Sequence, residues 1–273
     1  MWPLVILTTL FLRAAEPVSQ AIERAQELAL KKDRRQAAAV LRQAIQNSSK
    51  DSKARAKLIE SLDQLSTMFF TDKGQKAFES GQSRMFDNPD MALSHLQQAL
   101  ALEDDNLKVL TAIAQVQIMR PDCESAQATV QRARALNPQA ISATLLELRT
   151  LVCQQNFAAL RGRLQSLPPL EGWESTYVKY LSAQELQRRG EIKSAFEILR
   201  KISVDQPSFP ETYYFLAKVG NELNKDVEPW LRKYVLLCKG VTGRERRTYE
   251  LEPRLCANVR EVEDELARKT AGH

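Results

Sequence analysis

Two stretches of this chain, ALSHLQQALALEDD at residues 92–105 and AQATVQRARALNPQ at residues 126–139, share one spacing of small and apolar side chains. In each stretch an alanine is followed by an apolar residue four positions later and by another alanine three positions after that. The second stretch begins 34 residues after the first. A fixed interval of this length is typical of chains in which one structural unit is stacked on the next.

The same spacing returns elsewhere along the chain. Leu160 begins a degraded copy another 34 residues on, and Ala195 begins a good copy 35 residues after that. Ala37 begins an early copy, but it lies 55 residues before Ala92. The register therefore breaks near residues 51–69, where the pattern predicts one long helix.

The composition predicts an all-α protein. The 273 residues are 44% hydrophobic and include only nine glycines, while alanine, leucine, glutamine, glutamate and arginine are good helix formers. No run alternates between apolar and polar residues, so no sheet is predicted. Hydrophobic periodicity predicts helices near 18–32, 35–47, 51–69, 73–86, 89–103, 106–119, 123–136, 139–154, 156–166, 173–188, 191–204, 209–223, 226–238 and 257–270. The short loops between them place neighbouring helices antiparallel.

This helix–turn–helix pattern with a period of 34 resembles the tetratricopeptide repeat (TPR) family. The second helix of that repeat carries small, apolar and small residues and ends at proline, as the copies ending at Pro138 and Pro207 do. Tyr213, Leu216 and Ala217 match the first helix of the repeat. The resemblance covers roughly residues 16–238. It implies a right-handed superhelical solenoid of stacked antiparallel helix hairpins, with Ala126 and Ala195 buried at helix crossings.

The resemblance also implies where a partner binds. In the family, the first helices of successive hairpins line a concave groove, so we expect the partner-binding side chains on those helices. They are Lys108, Gln115, Arg149, Tyr177, Tyr180, Gln184, Arg188, Tyr214, Lys218 and Asn221. Tyrosine suits recognition because a rigid ring is combined with a polar hydroxyl; rings that fill space between repeats are the alternative. Gln115 and Leu145 depart from the family's clamp for a terminal carboxylate, and that specificity is not carried over.

The first residues differ from the rest of the chain. Residues 4–12 form a short apolar run followed by Ala14 and Ala15, as in the core and cleavage site of a signal peptide. Nine residues are too few to span a bilayer as a helix, which needs about 20. The sequence predicts a signal peptide at residues 1–15 and a periplasmic or secreted protein. A helix that packs on the first repeat is the alternative.

Four cysteines fit two bridges in an exported protein. In the repeat register Cys123 begins one helix and Cys153 ends the next, so the two stack on one edge of the solenoid; two buried free thiols are the alternative. Cys238 and Cys256 flank a stretch that breaks helical periodicity, and we expect them to be joined. Residues 239–273 are then a basic loop and a C-terminal capping helix. The loop presents Arg244, Arg246, Arg247 and Tyr249 to a partner as a basic surface, or it serves only as a cap.

No enzymatic motif is recognisable. The only histidines are His95 and His273, and HExxH, GK[ST] phosphate-loop and GxSxG patterns are missing. No catalytic residue, cofactor or metal site is predicted, and the net charge of +5 does not indicate a nucleic-acid partner. The sequence predicts a non-enzymatic protein–protein interaction scaffold of the cell envelope. A cytoplasmic TPR adaptor and an envelope accessory protein that binds peptidoglycan or polysaccharide stay open.

Overall fold

The computed structural model describes residues 17–48, 52–242, 249, 252 and 254–271. The predicted signal peptide and Arg244, Arg246 and Arg247 lie outside these residues. The described residues form helices and no strand. The helices are α1 (Val18–Leu30), α2 (Arg34–Asn47), α3 (Ser52–Thr67), α4 (Asp72–Arg84), α5 (Pro89–Glu103), α6 (Leu107–Met119), α7 (Cys123–Leu136), α8 (Ile141–Cys153), α9 (Phe157–Gln165), α10 (Gly172–Arg188), α11 (Ile192–Asp205), α12 (Pro210–Glu222), α13 (Glu228–Lys239) and α14 (Val259–Ala271).

Polar residues in the short loops cap the N-termini of several of these helices. Asn88 accepts a hydrogen bond from the backbone N–H of Met91 at the start of α5, and Asp122 and Asn156 cap α7 and α9 in the same way. Such caps satisfy backbone donors that have no partner inside the helix. The short connections pair α1 with α2, α4 with α5, α6 with α7, α8 with α9, α10 with α11 and α12 with α13. This confirms the predicted string of helix hairpins.

The repeated small residues lie at helix crossings. Ala92, Ala126 and Ala195 are fully buried, and Ala126 on α7 shares a cluster with Ala114 and Ile118 on α6. A methyl group at these positions lets two helix backbones approach closely, and apolar neighbours fill the space beside it. The spacing of 34 residues is therefore the spacing between equivalent helix contacts.

Helix α3 explains the break in register, because it is an additional helix between the hairpins α1–α2 and α4–α5. It packs on α2 and also contacts α6, while α2 contacts α7. Asn106 Nδ2 donates to the carbonyl of Met68 just after α3 (2.8 Å), and Asn137 Nδ2 donates to Asp63 Oδ1 within α3 (2.6 Å). The first three helices thus contact hairpins that are not their neighbours in sequence, which a simple nearest-neighbour stack does not do.

A buried ion pair fixes this N-terminal packing. Arg34, at the start of α2, pairs with Glu103 at the end of α5 (3.1 Å), and their side chains are 1% and 0% exposed. Arg34 also donates to the carbonyl of Met68 (2.6 Å), and Glu103 accepts from the backbone N–H groups of Phe70 and Thr71 (2.8 Å each). Burial lowers the pKa of Arg34, and Glu103 opposes that shift.

Both predicted disulfide bridges are present. Cys123 is the first residue of α7 and Cys153 the last of α8, with Cα atoms 5.7 Å apart. Cys238 on α13 is bonded to Cys256 just before α14, with Cα atoms 5.6 Å apart. Both distances lie in the usual range for disulfides. The first bridge joins two hairpins, and the second fixes the chain that leads into α14.

Candidate protein-interaction site

Residues near the C-terminus pack on the helices α8, α10 and α12. We call the described residues of this stretch, Tyr249, Glu252 and residues 254–256, the C-terminal segment. Tyr249 is buried, and its ring lies 4.7 Å from that of Trp173 on α10 and 5.2 Å from that of Phe209, measured between centroids. Its hydroxyl is 2.7 Å from Ser208 Oγ. Tyr249 is therefore a core residue of an aromatic cluster that also includes Tyr177. The prediction that Tyr249 forms part of the exposed basic surface is wrong, because its ring is packed among Trp173 and Phe209.

Glu252 makes the second anchor of the segment. It is 2% exposed and accepts hydrogen bonds from Arg149 on α8 (2.9 Å) and from the hydroxyl of Tyr177 on α10 (3.4 Å). Burial is the largest single influence on the pKa of Arg149 and lowers it, but the neighbouring acidic groups, of which Glu252 has the largest effect, together outweigh burial and raise the pKa of Arg149. Burial, followed by Glu252, raises the pKa of Tyr177 and of Tyr180. These groups form one buried polar network between three parts of the chain.

A second buried carboxyl lies beside this network. Glu211, in the first turn of α12, accepts a hydrogen bond from the backbone N–H of Cys256 (2.5 Å). Burial, and then the negative charge of Glu252, raises the pKa of Glu211 to about 8. The Glu211 carboxyl is consequently mostly protonated at neutral pH.

These contacts change the interpretation of several predicted binding residues. Arg149, Tyr177 and Tyr180 lie on α8 and α10, the first helices of their hairpins, but they are buried next to the C-terminal segment, and Gln115 is buried in α6. Tyr177 and Tyr180 are not available to a partner in this structure, because other aromatic side chains of the chain surround them, and the charge of Arg149 is paired with Glu252. Tyr177 and Tyr180 instead fill space in the core, which was the alternative to a role in binding.

The remaining predicted residues are accessible to different degrees. Gln184 is half-buried, and Arg188, Lys218, Asn221 and Lys108 are exposed. Tyr214 is half-buried beneath Lys218, whose Nζ lies 5.4 Å from the ring centroid. Gln184, Arg188 and Lys218 line one common pocket, whereas Lys108, Tyr214 and Asn221 do not.

This pocket, which we call the basic pocket, has a volume of about 460 Å³. Its cations and amides are Arg149, Arg188, Lys218, Arg254, Gln155, Gln184 and Gln187. Its lining includes no carboxylate in the described part of the chain. Arg254 was missed by the sequence analysis, since it lies in the C-terminal segment and reaches the pocket only because that segment folds back.

The charges of the basic pocket are incompletely neutralised. Arg149 is paired with Glu252, whereas Arg188, Lys218 and Arg254 form no ion pair with any carboxylate of the described residues. The Arg188 guanidinium lies over the ring of Phe157 at 5.4 Å. Since Glu211 is mostly protonated near neutral pH, it does not offset these charges. The pocket presents three cations to a ligand.

A cavity near the N-terminus of the described chain has a different character. It measures about 690 Å³ and lies among α1, α2, α3 and the turn after α3, lined mainly by apolar side chains such as Ile22, Leu41 and Phe70. It offers few groups that would orient a polar ligand. The described residues contain no cluster of three or more His, Cys, Asp or Glu that could hold a metal ion. No helix in this part of the chain is long and apolar enough to cross a membrane.

The chain is similar to solved structures of TPR proteins. A structure of the human IFIT1 dimer with m7Gppp-AAAA matches 96% of this chain and 68% of its own chain at 16% identity, with a TM-score of 0.51. A TPR protein from Parabacteroides merdae matches 90% of this chain and 92% of its own at 16% identity, with a TM-score of 0.47. No protein-family model and no curated protein matches the sequence. The fold is TPR-like, as the repeat predicted; at these identities the likeness concerns the fold alone.

Proposed function

We propose that this protein is an exported, non-enzymatic scaffold that binds a partner protein through the basic pocket. One observation carries the proposal. Three cations, Arg188, Lys218 and Arg254, line one pocket, and none of them forms an ion pair with a carboxylate in the part of the chain that the structure describes. A TPR-like fold supplies the concave setting in which protein segments commonly bind. The partner segment that suits this pocket is acidic.

Export is supported by two features. Both pairs of cysteines are joined, and disulfides persist mainly in oxidising compartments. The apolar run at residues 4–12 has the length of a signal-peptide core. We therefore place the protein in the periplasm or outside the cell, with residues 1–15 removed. A reporter that becomes active only after export, fused behind residue 30, is expected to be active; an inactive fusion indicates the cytoplasmic adaptor.

Charge reversal tests the basic pocket. The chain with Arg188→Glu and Lys218→Glu is compared with a control that carries Lys193→Glu and Lys201→Glu, two exposed lysines on α11 away from the pocket. Both variants change the net charge by the same amount. Each lost close charge pair is worth on the order of 1 kcal/mol, so recovery of the partner from a membrane-plus-periplasm fraction falls about tenfold or more for the pocket variant only.

Three outcomes separate the possible functions. Equal loss in both variants indicates a diffuse charge effect, and unchanged recovery in the pocket variant contradicts the proposal. Binding of purified peptidoglycan or polysaccharide that depends on Arg188 and Lys218 would instead favour the envelope accessory protein.

The basic loop is tested separately. We propose Arg244, Arg246 and Arg247 as a further part of the docking surface, because they carry much of the net charge of +4 over residues 232–256, in a chain whose total is +5. Their combined reversal to Glu is expected to weaken partner recovery without changing helix content in circular dichroism. If recovery is unchanged, the loop serves only as a cap.

A further inference from the structure

We propose that the Cys123–Cys153 bridge is a thiol–disulfide exchange site, at which a small anionic thiol that enters the basic pocket is oxidised. The proposal rests on the same cations as the proposed function, but it concerns a different ligand and a covalent step. The exchange is stoichiometric, since each chain carries one bridge in this pocket. It therefore needs no catalytic machinery beyond the sulfurs and the cations.

The bridge forms part of the wall of the basic pocket. Cys123 and Cys153 both line it, as do the cations Arg188, Lys218 and Arg254. Both cysteines are half-buried, and the pocket volume of about 460 Å³ has room for a small thiol. A ligand that the cations hold in this pocket is therefore placed beside the disulfide.

The charge of the pocket selects the thiol. A cleft lined by charges of one sign concentrates ions of the opposite sign, and the attacking form of a thiol is the thiolate. The carboxylates next to Cys123 in the sequence, Asp122 and Glu124, are exposed and do not line the pocket. A thiol that carries a carboxylate or a sulfonate is thus concentrated beside the bridge, whereas one that carries an ammonium group is repelled.

A buried donor offers a further contact to such a ligand. Arg149 lines the pocket, is 9% exposed and uses Nη2 to donate to Glu252 (2.9 Å). Its Nε is buried and has no hydrogen-bond partner among the described residues. Buried donors without acceptors are costly and uncommon in native structures. An oxygen of the ligand's acidic group can supply the acceptor that the chain itself does not.

The position of Cys123 determines which sulfur leaves. It is the first residue of α7, and the partial positive charge at a helix N-terminus stabilises a thiolate there. The sulfur that forms the more stable thiolate is the better leaving group. Attack is therefore expected at Sγ of Cys153, with Cys123 released.

The exchange balances in two steps. The thiolate of the first ligand forms a bond to Sγ of Cys153, the bond between the two cysteines breaks, and its electron pair leaves on Sγ of Cys123. A second thiolate then attacks the ligand sulfur of the mixed disulfide and releases Cys153 as a thiolate. The two cysteine thiolates take up the two protons that the ligand thiols lost. Two thiols have become one disulfide, and their two electrons reside on Cys123 and Cys153.

Three thiols that differ only in their terminal group test the proposal: mercaptoethanesulfonate, mercaptoethanol and cysteamine. Each reduces the native chain, samples are alkylated at intervals, and peptide mapping gives the free thiol at each cysteine. Each rate is divided by that of the same thiol with bis(hydroxyethyl) disulfide, which corrects for intrinsic reactivity. We expect the sulfonate to reduce the Cys123–Cys153 bridge about tenfold faster than the ammonium thiol, with mercaptoethanol between them.

Charge-neutralising variants assign this preference to the pocket. In the Arg188→Gln/Lys218→Gln chain the three corrected rates are expected to come together. The control is the Lys193→Gln/Lys201→Gln chain, which loses the same charge at exposed positions on α11 away from the pocket. That chain should keep the order of the three rates, because the charges beside the bridge are unchanged.

The Cys238–Cys256 bridge in the same samples reports general opening of the chain, because it does not line the basic pocket. If the double pocket variant opens generally, the single variant Lys218→Gln takes its place and should reduce the preference for the sulfonate. Equal corrected rates of the three thiols on the native chain, or a preference that the pocket variants retain, overturns the proposal. Partner recovery is measured without any thiol, so the exchange and the binding of an acidic partner fail separately.

Discussion

Arg34 and Glu103 look like surface charges in the sequence, in the runs KKDRR and LEDD, yet both are buried in the structure. Each takes part in hydrogen bonds to backbone groups of the turn between α3 and α4 as well as in their ion pair. A buried pair of this kind stabilises little compared with an apolar replacement, but it becomes costly when one partner is removed. The pair therefore makes the N-terminal packing specific.

Arg34→Ala is expected to lower the free energy of unfolding by about 3–5 kcal/mol, because Glu103 is left as an uncompensated buried charge. Urea unfolding followed by circular dichroism measures this. The control is Arg35→Ala, whose side chain is largely exposed in its pairs with Asp104 and Asp105; it is expected to change little. Similar effects of the two substitutions would show that the Arg34–Glu103 pair does not fix the fold.

Glu211 should make stability depend on pH. Its pKa is about 8 in the folded chain, against an ordinary value of 4.5, so its contribution to the free energy of unfolding is fully present below about pH 4.5 and is lost as the pH rises through 8. The expected slope is about −1.4 kcal/mol per pH unit between roughly pH 5 and 8. The neighbouring charges are those of Glu252, Arg149 and Arg254. Urea unfolding at pH 5.5 and 8 should show the loss in the wild type, and Glu211→Gln should remove most of it; an equal loss in that variant contradicts the assignment.

Single residues were the least predictable part of this molecule. The register placed Tyr177 and Arg149 on the first helices of their hairpins, where they lie, but it could not show that they are buried. Their partner Glu252 lies 75 and 103 positions away, within a stretch that has no helical periodicity. Glu211 likewise resembles an ordinary acidic residue in the first turn of a helix. Only the cysteine count indicated that this stretch folds back.

The helices were the most predictable part, because each is specified locally by its periodicity and caps. All fourteen segments expected from the sequence form helices in the described residues, with bounds shifted by at most a few positions. The pattern located the break at residues 51–69, but it could not show that α3 packs on α6. That packing includes hydrogen bonds from Asn106 and Asn137 to the C-terminal part of α3 and the residue just after it. Long-range polar contacts of this kind leave no period in the sequence.

One departure from the repeat is compensated within its hairpin. Where the repeat has alanine, α13 carries Trp230, and its ring packs on Gly220 of α12: a Cβ there would lie 2.5 Å from Trp230 Cζ3. Trp230 also lies edge-on to Phe196 of α11, with ring centroids 5.6 Å apart. The loss of a small residue on one helix is thus matched by a glycine on the other.

Gly220→Ala is expected to destabilise the protein by about 1–3 kcal/mol, because the new methyl group forces the indole to move in a packed contact. The control is Gly162→Ala in α9, where an added Cβ meets nothing within 4 Å; alanine there should stabilise by about 0.5–1 kcal/mol through its helix propensity. Thermal unfolding of both variants checks the pair. A stabilised Gly220→Ala chain would show that the contact with Trp230 is loose.

On the scale of the whole molecule, the core is divided rather than continuous. One large cluster of buried residues extends from α8 to α14, and three smaller clusters involve α1 to α8. Helix α8 takes part in both regions: Leu145 and Leu148 face the C-terminal cluster, while Leu146 packs with α6 and α7. Helix α9, from the degraded repeat copy, buries only Leu160 fully. Helix α9 therefore adds little buried apolar surface between α8 and α10.

This division predicts two unfolding units. In repeat proteins stability is roughly a sum over units and their interfaces, so α1–α7 and α10–α14 should become exposed at different urea concentrations.

The Cys123–Cys153 bridge ties α8 to the N-terminal unit. Its cysteines have a sequence separation of 30, so the bridge is worth on the order of 3–4 kcal/mol in the chain-entropy model. Hydrogen exchange resolved by peptide across a urea series measures both effects. In the oxidised chain α8 should remain protected with α7, and in the Cys123→Ser/Cys153→Ser chain it should lose protection together with α10. A single transition that exposes all helices at one urea concentration would show that the clusters unfold as one core.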